Sequence, residues 1–180
     1  MELNRYDQSW FDRGRPAAVV MLWHTISRTL YRLPIHNAHG FRAALLRLFG
    51  AKVGQGVMLR PTSEVTYPWK VVIGDNTWLD DEVVLYSLGE ITIGSNCVLS
   101  RRTFISTGNH RADDPAFGLV VKPCVIEDGV WLQADCFVGQ GLTIGRNTLV
   151  RARSSVFRSV PPSSVCEGTP AKVVGTRDLG

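Results

Sequence analysis

IEDGVWLQADCFVGQGLTIGRNTLV, residues 126–150, places an aliphatic side chain at every sixth position: Ile126, Leu132, Val138, Ile144 and Val150. A period of six matches neither the turn of an α-helix nor the two-residue alternation of a long strand. It matches short strands joined by tight turns, three to a coil. Each aliphatic then points into a triangular prism, and successive coils stack at the spacing of a parallel sheet, about 4.8 Å. The same beat runs back to residue 53, through Val53, Leu59, Val65, then Ile73, Leu79, Leu85, then Ile93, Leu99, Ile105. Val156 closes the last triplet, and every one of these positions is Val, Ile or Leu. Four residues after most of them stands a small or β-branched residue, such as Val57, Ser63, Thr77, Val83, Cys97, Thr103, Cys136 and Thr148. Cys97 and Cys136 therefore read as core fillers. Gly54, Gly74, Gly94 and Gly145 directly follow their aliphatics and read as sharp turns made without a Cβ.

Coils begin at residues 53, 73, 93, 126 and 144, so the steps are 20, 20, 33 and 18. Two-residue additions near Trp69–Val72 and Glu90–Thr92 read as corner bulges. The third coil holds a true insertion, residues 106–125, opening with STGNHRADDP at 106–115. A long excursion from a rigid scaffold is a usual place for function. It contains His110, the only histidine after residue 39.

Ahead of the repeat, Pro16–Leu33 and Asn37–Phe49 read as two amphipathic helices. The first carries Val19, Leu22, Trp23, Ile26, Leu30 and Leu33 at three-and-four spacing; the second ends at Gly50. They are expected to cap the open end of the prism. His24, His36 and His39 lie here and are expected to be structural or surface residues. The organisation is thus a helical cap (1–52), a hexapeptide β-helix of about five coils (53–161) with its inserted loop (106–125), and a tail (162–180) that leaves the coil after Val160.

The chain has 180 residues, 44% hydrophobic and 20% charged, the profile of a globular unit with a sizeable core. The longest apolar run near its start, AAVVMLW at 17–23, is too short to span a bilayer. Residues 1–16 carry Glu2, Asp7 and Asp12 and do not resemble a signal peptide, so a cytoplasmic location is expected. The net charge of +4 is uneven. Residues 1–52 hold eight Lys/Arg against three Asp/Glu, and residues 53–180 hold twelve against thirteen. The basic segment suits a solvated helix face or peripheral contact with an anionic membrane. Nothing points to nucleic acid. The cysteines at 97, 124, 136 and 166 form no CxxC pair, so no zinc or redox site is expected.

Residues 126–174 resemble the C-terminal block of the maltose, galactoside and nodulation-type sugar O-acetyltransferases, whose pattern is close to IGDxVWIGxxxxIxPGVxIGxxxVIGAGSVVTKDIPxxxVxxGxPAKVI. LLRLFGAKVG, YPWKVVIGD and STGNH extend the resemblance across nearly the whole chain, to the exopolysaccharide and colanic-acid biosynthesis acetyltransferases. The resemblance implies a left-handed β-helix assembled as a homotrimer, an acetyl-CoA co-substrate lying between neighbouring subunits, and no metal.

It also implies roles. His110 occupies the position of the general base, and Asn109 and Trp131 those of acceptor-side residues. A neutral sugar hydroxyl is a weak nucleophile, and an imidazole, with an ordinary pKa near 6.5, suits removal of its proton. Asp113 and Asp114 either orient the imidazole or cap the loop. Ala134 and Ala152 match positions whose backbone meets the pantetheine arm; Phe157 stands in the same stretch where threonine is common. Arg158 and Lys172 match cations that face the nucleotide phosphates. Gln133, Arg151 and Arg153 depart from the family's glycines, and Gln140 from its proline. Cys124, the one thiol in the insertion, has no evident activating base beyond Lys122, so direct transfer is expected over a covalent intermediate.

Three other readings compete. A γ-type carbonic anhydrase needs three metal-binding histidines, which the repeat lacks. A non-catalytic β-helix scaffold needs neither the histidine-bearing insertion nor the TPAKVV tail. N-acetylation of an amino sugar would use the same residues as O-acetylation, and a saccharide acceptor could be free, nucleotide-linked or lipid-linked.

Overall fold

The computed structural model describes residues 1–33 and 35–179. From Lys52 onward the chain winds into a three-sided parallel β-helix. The first sheet stacks Lys52–Val53, Val71–Ile73, Ile91–Ile93, Cys124–Ile126 and Thr143–Ile144. On the second lie Met58–Leu59, Trp78–Leu79, Val98–Leu99, Trp131–Leu132 and Leu149–Val150. The third holds Glu64–Val65, Val84–Tyr86, Phe104–Ser106, Phe137–Val138 and Ser155–Val156.

The six-residue beat is the stacking register. Val53, Ile73, Ile93, Ile126 and Ile144 are consecutive partners on the first sheet. Leu59, Leu79, Leu99, Leu132 and Val150 align on the second, and Val65, Leu85, Ile105, Val138 and Val156 on the third. All but Val53 are buried. The small residues four places later are buried too, and their polar atoms are satisfied by the coil corners. The Thr77 hydroxyl donates to the Gly94 carbonyl at 2.7 Å and accepts the Cys97 N–H at 3.1 Å. The scaffold thus buries hydroxyls without leaving donors unpaired.

The glycines after the aliphatics are required for a different reason than turning. Gly54, Gly74, Gly94 and Gly145 all lie outside the left-handed region, whereas a Cβ on Gly74 would sit 2.5 Å from the Gly94 carbonyl carbon and the Ser95 nitrogen. They let one coil approach the next. The left-handed corners fall two residues further on and are filled mostly by other residues: Asn76, Glu82, Asn96, Arg102, Asp135, Asn147 and Arg153, all with φ between 55° and 60°. Asparagine and aspartate tolerate this region best among residues with a Cβ.

The chain does not leave the prism at Val160. Val160 bridges Ile144 on the first sheet, and Ser164–Gly168 adds a sixth rung to the second, parallel to Leu149–Val150. Ala171–Thr176 then folds back antiparallel against that rung. The valine and cysteine of SVCEG carry too short an apolar signal to show this in sequence.

Two helices, α1 (Ala17–Arg28) and α2 (His39–Leu48), close the other end. Trp23, Leu45, Leu46 and Phe49 join the prism core, and the Trp23 indole donates to the Val65 carbonyl at 2.9 Å. Helix α1 ends five residues before the periodicity does, and Leu22, Leu30 and Leu33 are exposed rather than packed. The chain breaks there so that Tyr31 enters the core and the buried Arg42 guanidinium can gather the carbonyls of Tyr31, Leu33 and Ile35 at 2.8–3.0 Å. Burial pulls the Arg42 pKa down, and these acceptors offset the loss of water.

The corner additions near residue 69 take the form of a 3₁₀ turn, Pro68–Lys70. Its side chains clamp the N-terminal segment: the Trp69 indole donates to the Arg13 carbonyl at 2.6 Å, and the Lys70 ammonium to the Asp12 carbonyl at 3.0 Å.

Candidate active site

The insertion leaves the third sheet as a hairpin, with Gly108–His110 antiparallel to Leu119–Val121. Cys124 returns the chain to the first sheet. Its thiol is buried, donates to the Gly139 and Ser106 carbonyls at 3.2 and 3.4 Å, and has its pKa pushed up by burial. A protonated, enclosed sulfur is not a nucleophile.

His110 stands at the end of the first hairpin strand, half-buried. Its Nδ1 lies 2.8 Å from the Phe117 carbonyl oxygen. A carbonyl only accepts, so Nδ1 carries the proton and Nε2 of the neutral ring holds the free lone pair. The imidazole also lies flat on the Phe117 ring, 4.0 Å between centroids and 7° from parallel, with Tyr6 tilted against it at 5.6 Å. Phe117 itself has φ +55°, a conformation costly for an aromatic residue. Asp114 stabilises that loop, accepting the Ala116 and Gly118 amides at 2.9 and 3.1 Å, while Asp113 is exposed. Asp114 is thus a loop cap, and a backbone carbonyl orients the histidine. The N-terminal segment reaches the same loop, the Glu2 amide donating to the Pro115 carbonyl at 2.7 Å.

Asn109 accepts the His110 amide with its Oδ1 at 2.8 Å, which leaves its Nδ2 as an exposed donor. Asn109 lines a groove of about 480 Å³ together with Tyr86, Phe104, Phe137, Gln140 and Phe157. Of the residues matched to the cofactor, only Phe157 borders it.

The others lie elsewhere. Trp131 is on the second sheet, between Val98 and Leu149 in register, 37% exposed, with its indole donating to the Ser100 hydroxyl at 3.0 Å. Ala134 and Ala152 follow second-sheet strands at equivalent corners, one coil apart. The Ala152 amide is already engaged by the Gln133 Oε1 at 3.1 Å. Arg158 is exposed just beyond the third sheet, and Lys172 is exposed on the C-terminal strand, opposite Glu167. Arg151 pairs with Glu167, and Arg153 reaches Asp135 only at 3.9 Å while 85% exposed. Ala134 and Ala152 thus mark the corner between the second and third sheets, Arg158 the corner after the third, and Lys172 the C-terminal strand. Among the described residues no group of His, Cys, Asp and Glu could hold a metal ion.

Sequence reading did not find Phe117, Tyr6 or Tyr86. Phe117 acts through its main chain and its left-handed φ, for which a phenylalanine gives no signal.

No family model matches the chain. It is 46% identical over 165 residues, 92% of this chain and 91% of the relative, to the Escherichia coli (strain K12) protein named as the colanic acid biosynthesis acetyltransferase WcaF. It is 32% identical over 128 residues, 69% of each chain, to nodulation protein L of Rhizobium meliloti (strain 1021). Its fold matches the crystal structure of a hexapeptide-repeat acetyltransferase from Vibrio cholerae O1 biovar eltor complexed with acetyl coenzyme A, at TM-score 0.80 and 29% identity, covering 92% of both chains. With a relative 46% identical over 92% of the chain, the chain belongs to the hexapeptide-repeat acetyltransferases and is an acetyltransferase of the exopolysaccharide-biosynthesis type.

Proposed function

We propose that the protein transfers the acetyl group of acetyl-CoA to a hydroxyl of a saccharide, with His110 as general base. The observation that carries this reading is the Nδ1 contact to the Phe117 carbonyl, which leaves Nε2 of the neutral ring as the nitrogen able to take a proton. His110 Nε2 takes the hydroxyl proton as the sugar oxygen attacks the thioester carbonyl. A C–O bond forms, the C–S bond breaks, and His110 returns the proton to the departing sulfur. Asn109 Nδ2 positions the acceptor, and Trp131 flanks the reacting centre. Ala134, Ala152 and Phe157 hold the pantetheine arm, with Arg158 and Lys172 at the phosphates.

In one chain the hairpin carrying His110 springs from the third sheet while Trp131 lies on the second. A homotrimer with each site shared between neighbouring copies brings such faces together. Among the described residues no helix is long and apolar enough to cross a membrane. We place the enzyme in the cytoplasm, with the basic N-terminal segment favouring peripheral contact with the inner membrane face.

The test is to incubate the protein with acetyl-CoA and methyl β-galactoside, lactose or glucosamine, then treat the product with hydroxylamine. A hydroxylamine-labile ester on the galactosides is expected. A stable amide formed only on glucosamine assigns N-acetylation instead, and acetyl-CoA binding without any acetylated sugar removes saccharides as the acceptor class.

A further inference from the structure

The outer side of the third sheet carries an aromatic ladder. Tyr86, Phe104, Phe137 and Phe157 come from successive coils, with ring centroids 6.0, 5.9 and 5.6 Å apart. Tyr86 and Phe157 are 36% and 55% exposed. The groove beside Asn109 runs along this ladder, and a second groove of about 470 Å³, reaching His24 and Arg28 on α1, shares Tyr86 and Phe104 with it. The two grooves meet at these two rings and together are termed the trough. Three coil spacings span roughly 14 Å, more than one sugar ring.

At the hairpin end of this trough lies Gln140, whose Oε1 is buried and has no hydrogen-bond partner. An unsatisfied buried acceptor is destabilising unless a donor arrives. The neighbouring polar atoms do not supply one: the Ser106 hydroxyl donates to the Gly108 carbonyl at 2.7 Å. Sequences of the resembled pattern carry proline at this position, so the amide is a property of this chain.

We propose that the trough is the acceptor track: an oligosaccharide lies along the aromatic ladder and one of its hydroxyls donates to Gln140 Oε1. The inference rests on the saccharide O-acetylation proposed above. The groove wall includes Ser106, Gly108 and Asn109, the residues leading into His110, and of the residues matched to the cofactor only Phe157, at the far end of the ladder, borders it, so the acceptor is assigned to the stretch from Tyr86 to Phe137 and the pantetheine arm to the ground beyond Phe157. Apolar ring faces with a few side-chain amides are also the surface that a sugar's alternating C–H and O–H groups match.

The experiment measures acceptor KM for methyl β-galactoside and lactose, acetyl-CoA affinity by calorimetry and oligomeric size for the parent protein, Gln140→Ala and Gln140→Glu. Lactose is expected to have the lower KM by tenfold or more. Gln140→Ala raises the lactose KM tenfold or more with acetyl-CoA affinity within twofold, and Gln140→Glu, which keeps acceptor oxygens, recovers most of the loss. An unchanged lactose KM, weakened acetyl-CoA binding or an altered oligomeric size in a folded Gln140→Ala overturns the assignment, as does equal KM for the two sugars. If the parent protein binds acetyl-CoA but acetylates neither sugar, the proposed function fails by itself. Saturation-transfer NMR with lactose then still decides the track: signals seen with the parent and lost in Gln140→Ala support it, and no signal with the parent overturns it.

Discussion

The Nδ1 of His110 and the carbonyl oxygen of Phe117 are 2.8 Å apart across the hairpin, and the two rings lie parallel at 4.0 Å. Phe117 therefore acts on the imidazole twice, fixing its tautomer through the main chain and its plane through the side chain. The two contributions separate by substitution. Phe117→Gly accepts φ +55° without strain and keeps the carbonyl, so kcat should fall about tenfold from the lost stacking, about 1.4 kcal/mol. Phe117→Pro is held near φ −65° and swings the carbonyl away. Its kcat should approach that of a variant with no base. Steady-state CoA release measures both, and equal activity in the two variants contradicts the orienting role.

Gln133 stands in the way of the pantetheine contact proposed at Ala152. Its Oε1 occupies the Ala152 amide at 3.1 Å. Gln133→Gly frees that N–H, and acetyl-CoA binding should tighten about threefold to tenfold, the yield of one neutral hydrogen bond of about 0.5–1.5 kcal/mol. Calorimetric titration gives the constant directly; unchanged affinity means the Ala152 amide does not meet the pantetheine arm.

Two glycines make opposite predictions for the same substitution. Gly74→Ala drives a Cβ to within 2.5 Å of backbone on the next coil and should destabilise the fold by about 1–3 kcal/mol or more. Gly40, in α2, has nothing within 4 Å of a built Cβ, so Gly40→Ala should stabilise by up to about 1 kcal/mol. Denaturant midpoints of the two variants against the parent check both signs.

Alkaline stability has a defined window. Burial pushes the Tyr31 phenol up to about 12, and burial likewise raises the Cys136 thiol to about 11. Both folded values lie above the unfolded ones, so the stability they contribute is intact at neutral pH. It is lost as pH rises from about 9 for the thiol and about 10 for Tyr31, through the folded values. Thermal unfolding from pH 8 to 11.5 should show this decline. Tyr31→Phe should be less stable at pH 8, having lost the 2.8 Å contact to the Ser63 hydroxyl, yet lose less above pH 10.

What was legible in sequence follows from how each signal is encoded. The prism is written in side chains: one aliphatic per strand, in a register the structure reproduces from Val53 to Val156. The insertion was visible as a break in that beat. Less was visible wherever the backbone decides. The glycines after the aliphatics serve coil stacking rather than turning, because a contact between coils leaves no local signature. Helix α1 stops at Arg28 although its apolar spacing continues, since the buried Arg42 competes for the carbonyls that follow. The position of His110 was legible as the lone histidine of the insertion, but its orienting carbonyl and the aromatic ladder on the third sheet arise only when distant coils are stacked.

The central claim is that His110 removes the acceptor proton, and the most direct measurement is acceptor-dependent CoA release by the parent protein and by His110→Ala at saturating acetyl-CoA. With the base removed, kcat should fall about 10²- to 10⁴-fold with acetyl-CoA affinity retained. Turnover preserved within a few-fold in a folded His110→Ala protein contradicts it.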